Sequence, residues 1–374
     1  MVALLMPARR RLRFYLPYVI VLAACGLAIY GLDLRWGREV YYYRASLAPF
    51  AAEPNSYTRE TLLHPLVIWL LHLNVSPITY STFGLFWWIA TLCYLGVTIE
   101  AELGRAQTAL IVGSLVMHPV AMILYTWTGM PDYFTVFFTA ILCFTNQATV
   151  AGVIAFLAAT NHLTLMLVIV PLVGVVRWLI GRAVMWPIVL AEALGLLLGK
   201  AVIVLYLMKA GIYPLSGRIQ YAFDNGVDIA RRSLAHPWGL LWSLNLSFWL
   251  IMAMMIVVII ARRSDWRALI AIIITILWSI AVTLPAEDTT RIYALVSWGP
   301  ILLVIVRVFT SLGGTSTARR LVSFAYATIC LVGLCLPIVF SWGGNLLGME
   351  DTRALLWTTI THRQANKGGL VGPP

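Results

Sequence analysis

Apolar runs recur from one end of the chain to the other, separated by short polar segments in which Arg is the commonest charge. A run of about 20 apolar residues is long enough to cross a ~30 Å hydrocarbon core as a helix. The pattern predicts spans over 14–32, 78–98, 106–126, 133–146, 148–160, 163–180, 186–208, 238–261, 268–284, 291–308 and 321–341. Residues 61–73 are apolar but too short to cross easily, and predict a surface or re-entrant helix. The runs 133–146 and 148–160 are also short, roughly 20 Å of helix each. They predict a thin place or funnel in the bundle unless tilted neighbours cover them. The expected fold is an all-α polytopic transmembrane bundle of about eleven spans plus one short helix. Residues 1–341 form a single integral membrane domain with outer loops at 33–60 and 209–237, and 342–374 form a polar extracytoplasmic tail.

The polar segments sort by charge. Arg9, Arg10, Arg11 and Arg13, then Arg177 and Arg182, Arg262, Arg263 and Arg267, and Arg307, Arg319 and Arg320 all fall on one side. Positive segments stay in the cytoplasm, so the N-terminus is expected inside and the C-terminus outside. Asp33, Glu39, Asp132, Asp224, Asp228, Glu287 and Asp288 fall on the other side. A protein that merely spans a bilayer has little reason to gather carboxylates on one face, and the bias suggests a reaction centre there. Arg231 and Arg232, in the loop 209–237, run against the charge rule.

Composition narrows the class. Hydrophobic residues make up 61% and charged ones 11% of the chain, against about 25% charged in soluble domains. With a mean hydropathy of +0.88, a soluble fold is excluded. The net charge of +11 comes mainly from Arg at span ends, where it sets orientation and meets lipid head groups; no nucleic-acid partner is expected. The five cysteines lie in predicted spans, without disulfide or metal-ligand spacing. The first run lacks a small-residue cleavage site and reads as a retained helix.

The strongest local signal is Glu287–Asp288–Thr289–Thr290–Arg291 before an apolar run. Asp288 and Arg291 are three apart and share a helix face. Asp288 in that place reads either as an N-cap or, with Arg291, as part of an anion site at a helix start, where a carboxylate can also hold a divalent ion against a phosphate. In the first loop Asp33 and Glu39 are candidate general bases, and Arg59 is a candidate phosphate ligand. Asp132, in Gly129–Met130–Pro131–Asp132, reads as a helix cap or as part of a shared site. Glu192 and Lys200 sit deep in one span, where a charge costs several kcal/mol unless paired or wet. They lie two turns apart, so each needs a partner elsewhere: another helix, or for Lys200 a lipid-linked phosphate. His162, after Asn161, reads as an interfacial residue or a catalyst. Metalloprotease, P-loop and serine-hydrolase motifs are absent.

The acidic residue after the first span, the Tyr41–Tyr43 stretch, Tyr57–Thr58–Arg59, Leu63–His64–Pro65–Leu66, the Met130–Pro131–Asp132 turn and Asp288-x-x-Arg291 before a late span resemble bacterial polytopic glycosyltransferases of the GT-C superfamily. The resemblance covers most of the chain as architecture, on short motifs. It implies transfer of a sugar from a polyprenyl-phosphate donor to a glycan or lipid acceptor on the outer face of the bacterial plasma membrane. The first-loop acidic residue, Asp33 or Glu39, would be the base or a metal ligand; the adjacent acidic pair often found there is absent. Asp132 and Asp288 complete the expected catalytic set, with Arg59, Lys200 and Arg291 on the donor phosphate, and Glu287 and His162 as further candidates. Asp33 and Asp288 are the expected ligands if Mg2+ or Mn2+ takes part. Two other functions fit the pattern. A transporter or flippase would use Glu192, Lys200 and the short hairpin 133–160. A polysaccharide polymerase or ligase would use Arg218, Arg231, Arg232 and His236.

Overall fold

The structure is a computed structural model and describes residues 2–31, 39–50, 61–182, 186–209, 218–262, 265–286, 288–313, 317–342 and 345–348. In chain order the helices are α1 (Val2–Tyr30), α2 (Glu39–Leu47), α3 (Leu63–Leu70), α4 (Pro77–Leu103), α5 (Arg105–Ser114), α6 (Pro119–Thr126), α7 (Asp132–Phe144) and α8 (Ala148–Leu179). They continue with α9 (Trp186–Lys209), α10 (Arg218–Ser233), α11 (Pro237–Asn245), α12 (Phe248–Arg262), α13 (Trp266–Thr283), α14 (Thr289–Ser311) and α15 (Thr317–Gly333). One short antiparallel hairpin, β1 (Val339–Trp342) with β2 (Asn345–Gly348), follows. Among the described residues six helices are long and apolar enough to cross a membrane, or up to eight if each of two bent pairs is one span. The chain is a multi-pass membrane protein by that measure.

Helix α8 is not a straight rod. His162 has φ −153° and ψ 70°, outside helical values. Arg177, near the end of α8, donates to the carbonyls of Leu142 (3.0 Å) and Thr145 (2.8 Å) and to Asn146 Oδ1 (3.2 Å). Those groups lie just before the first residue of α8. In a straight helix residues 148 and 177 would stand about 43 Å apart. The chain therefore doubles back near His162, at the point where the apolar pattern divides into 148–160 and 163–180.

Small residues then let α9 approach the first half of α8. A Cβ on Gly195 would collide with the Gly152 carbonyl, and one on Gly199 with Ala159. Gly152 also meets Ala191, so the two segments run in the same direction. Gly195 and Gly199 form the small-xxx-small spacing that permits close backbone contact in lipid, where packing rather than water drives association. Helix α14 forms the centre: nearly all its side chains from Thr289 to Phe309 are buried.

Two predicted spans are broken. Residues 106–126 form α5 with a 3-10 turn, then α6 at a 56° bend. The break is at His118, before Pro119, which cannot donate to the preceding turn. Residues 238–261 form α11 and α12 at an 80° bend, with Leu246 in left-handed backbone at φ 49°. The breaks adjoin: the rings of His118 and Phe248 lie 4.8 Å apart. The last predicted span, 321–341, is shorter than expected. Helix α15 ends at Gly333, and the boundary placed at 341 falls inside β1. The loop 209–237 is likewise no featureless segment, because α10 occupies 218–233.

Charged contacts separate towards two ends. One holds Arg182–Glu102 (2.6 Å), Arg105–Glu100 (3.6 Å) and Arg307–Asp265 (2.8 Å). The other holds Asp132, Asp288 and Arg291. Short helices α2 and α3 belong to this second end, tied to the α8 reversal where Leu62 N–H donates to Thr160 O.

Candidate functional site

Arg291 is in the first turn of α14 and points into the protein. Its Nε and Nη2 donate to Asp132 Oδ2 and Oδ1 at 2.7 and 2.8 Å. Its Nη1 donates to Asp288 Oδ2 at 2.8 Å. All three residues are at most 5% exposed. The paired contacts to Asp132 match the planar fork of a guanidinium to a carboxylate, the strongest form of charged hydrogen bond. The Trp127 ring lies 5.4 Å below the guanidinium carbon, adding a cation–π contact. Removal from water is costly for each charge, so burial requires this mutual satisfaction.

Local sequence explains the placement. Asp132 opens α7 behind the Pro131 turn, and Asp288 occupies the N-cap position of α14. Acidic groups are favoured at helix starts by the free N–H groups and the dipole. Asp288 makes no side-chain capping bond, and the N-cap of α7 is Pro131 rather than Asp132. For Asp288 the side-chain capping explanation is thus corrected, and both carboxylates are turned to Arg291.

The supporting residues are polar and buried. Asn161, at the α8 reversal, donates to Pro131 O (2.9 Å) and Thr135 Oγ1 (3.2 Å), fixing the turn that carries Asp132. Thr290 Oγ1 lies 3.1 Å from Ser243 Oγ and accepts from the backbone N–H of Ser341 at 2.8 Å. A cavity with room for about one water lies between α6, α14 and β1, lined by Met122, Trp127, Asp288, Thr290, Arg291 and Ser341. Asp288 lines it and Asp132 does not.

Other expected site residues are not brought to this cluster. Asp33, Arg59 and Glu287 lie outside the described residues, and Glu39 begins α2 with its side chain outside them too. Lys200 is exposed on α9 beside Leu197 and Leu198. Glu192 is buried within electrostatic reach of Arg177. That answers its need for a partner on another helix. His162 is buried at the α8 reversal. In the polymerase set, Arg231, Arg232 and His236 are exposed, and the Arg218 side chain is outside the described residues.

Of the two expected metal ligands, Asp288 is in the cluster and Asp33 lies outside the described residues. Among the described residues no three His, Cys, Asp or Glu side chains gather closely enough to hold one. The two carboxylates that do meet already flank a guanidinium. Three of the five N–H groups of Arg291 are directed at these carboxylates.

Sequence reasoning missed Asn161, Thr290 and Trp127. Trp127 stands in the same Thr126–Tyr133 turn that drew attention to Asp132. Thr290 lies inside the acidic-Thr-Thr-Arg element. Asn161 carried a signal in being a polar residue between two apolar runs, but its partners are 30 and 26 residues away. No family model matches the chain, and no curated protein or solved structure matches it.

Proposed function

We propose that this chain is a membrane glycosyltransferase of about eleven crossings, moving a sugar from a polyprenyl-phosphate donor to a hydroxyl acceptor at the end of the bundle that carries Asp288. The observation supporting it is the meeting of Asp132, Asp288 and Arg291, drawn from distant parts of the sequence, at the end opposite the basic segments. By the positive-inside rule that end is extracytoplasmic.

Asp288 is the group suited to act as general base. It borders a space of one water, which is also the size of an acceptor hydroxyl. Arg291 orients its carboxylate through the 2.8 Å bond to Oδ2, and Asp132 anchors Arg291 by two further bonds. In the transfer, Asp288 takes the hydroxyl proton as the acceptor oxygen attacks the anomeric carbon. The bond from that carbon to the phosphate oxygen breaks, and polyprenyl phosphate leaves. Two carboxylates against one guanidinium give the cluster a formal charge of −1, which repels phosphate. The leaving phosphate therefore falls to cations outside the cluster. Lys200, exposed beside leucines on a spanning helix, suits a lipid-linked phosphate approaching from the bilayer, and Arg59 is a second candidate.

The test is turnover of polyprenyl-phosphate sugars by the purified protein in liposomes, followed as new glycosidic bonds and released polyprenyl phosphate. Asp288→Asn should abolish both. Full turnover by a folded Asp288→Asn protein would remove the proposed base. A transporter reading is favoured by one observation, the two bent spans whose breaks adjoin at His118 and Phe248, since broken helices line substrate sites in transporters. Movement of the lipid-linked sugar across the bilayer without a new glycosidic bond would select it.

A further inference from the structure

Helix α10 is strongly amphipathic, and its sides face different surroundings. Gly226, Ile229 and Ser233 are buried. A Cβ on Gly226 would stand 2.9 Å from Pro285 Cβ, so this face rests on the segment that leads to Asp288. Val227 (72% exposed) and Leu234 (52%) lie on an adjoining face, where exposed apolar side chains have no protein cover. Positions 227, 231 and 234 follow the i, i+4, i+7 spacing of one helix stripe. The stripe continues into α11, where Trp238 is 82% and Leu241 40% exposed. Arg231 stands in the stripe, and Asp228, 76% exposed, lies about one-quarter turn or more away from Val227.

We propose that the stripe Val227–Arg231–Leu234–Trp238 lies in the phospholipid head-group layer at the Asp288 end of the bundle. The occupant follows from the neighbouring helix: α11 and α12 together form one of the candidate spans, so exposed apolar groups of α11 face lipid, and only Ala235, His236 and Pro237 separate Leu234 from Trp238. The chemistry agrees. Trp favours the interface, and Arg extends its apolar stem over lipid while its guanidinium meets phosphate. An interfacial helix sinks its apolar side about 5–10 Å into the head-group region. Arg231, whose exposed pair with Asp228 is long at 3.8 Å and weak in water, gains a lipid phosphate there, which explains one cation on the side where the charge rule expects few. Because the adjoining Gly226 face of α10 rests on Pro285, the segment leading to Asp288 packs against a helix lying on the membrane. This inference does not depend on the glycosyltransferase reading.

The test uses the full chain with its five cysteines replaced by alanine. Single-cysteine variants Val227→Cys, Leu234→Cys and Asp228→Cys carry a bimane fluorophore in phosphatidylcholine vesicles. Nitroxide placed near the head group of the lipid should quench positions 227 and 234 at least about twofold more than 228, with iodide in water showing the reverse order. Position 228, on the same helix, controls for folding and labelling. Strong iodide quenching at all three positions, with no lipid quenching, would overturn the proposal by placing the stripe in water. Protection of 227 and 234 from both quenchers would also overturn it, by showing a protein cover such as a second copy.

Discussion

Arg291 and Asp132 lie 159 residues apart in sequence and share two hydrogen bonds in the buried interior. That relationship ties α7 to α14. It makes Arg291 the residue whose loss is hardest to accommodate, because Arg291→Ala leaves two buried carboxylates without their cation. Breaking a buried pair from one side costs about 3–5 kcal/mol. The expected result is a large fall in unfolding midpoint in detergent, with Arg291→Lys recovering only part of it, since a lysine has no planar fork. An unchanged midpoint in Arg291→Ala would mean the cluster carries no stabilising role.

The two aspartates should separate by stability and by turnover. Asp288→Asn leaves one guanidinium bound twice by one carboxylate, a neutral and well-bonded pair. Asp132→Asn also leaves a neutral pair, but only the single contact to Asp288. Asp132→Asn is therefore expected to lower the unfolding midpoint more than Asp288→Asn. In turnover assays Asp288→Asn should be inactive despite its milder unfolding, and Arg232→Ala should stay active. Loss of turnover in Arg232→Ala with full activity in Asp288→Asn would instead support the polymerase or ligase reading.

Asn161 offers a test of positioning. Its amide fixes the Pro131 carbonyl and the Thr135 hydroxyl. Asn161→Ala leaves both buried groups short of a partner, at about 1–3 kcal/mol. If it acts through Asp132, combining it with Asp132→Asn should cost less than the sum of the two single changes. Strict additivity would show that Asn161 only closes the α8 reversal.

How much of this was legible beforehand differs by element. The apolar runs at 186–208 and 268–284 reappear as α9 and α13 because length and hydropathy alone decide a crossing. Asp132 and Asp288 stood out as acidic residues at helix starts, and the sequence also allowed a meeting with Arg291. What no spacing could supply was the bidentate bond, which depends on how α7 packs beside α14. The break at His118 had a signal in Pro119 that the continuous apolar run concealed. The break at Leu246 had none, since Leu rarely adopts positive φ and only the surrounding packing holds it there. The strand end at Trp342 was hidden because Val339–Trp342 is as apolar as the end of a span.

Packing of α9 on α8 gives a prediction independent of the cluster. Gly195 and Gly199 face Gly152, Ala155 and Ala159 at distances that leave no place for a side chain. Gly199→Val should force the helices apart, a strain of about 1–3 kcal/mol or more. Gly174, with nothing near its Cβ direction, is the matched control, and Gly174→Ala should be neutral or slightly stabilising. Equal midpoints for Gly199→Val and the unaltered protein would show that the contact is not closely packed.

The pH response should come in part from His64. This residue of α3 is buried between the rings of Tyr80 and Phe134, with centroids at 5.4 and 5.8 Å. Burial disfavours its charged form and pushes its pKa down to about 3, from an ordinary value near 6.5. Between those values the unfolded chain binds a proton that the folded chain does not, so stability rises with pH across that window. The contribution is complete above about pH 6.5 and is lost progressively as the pH falls towards 3. His64→Phe removes the titrating group and keeps an aromatic ring in the same surroundings. Unfolding midpoints measured at pH 7.5 and 4.5 should therefore fall less in His64→Phe than in the unaltered protein. A parallel fall in both would assign the acid sensitivity to other groups.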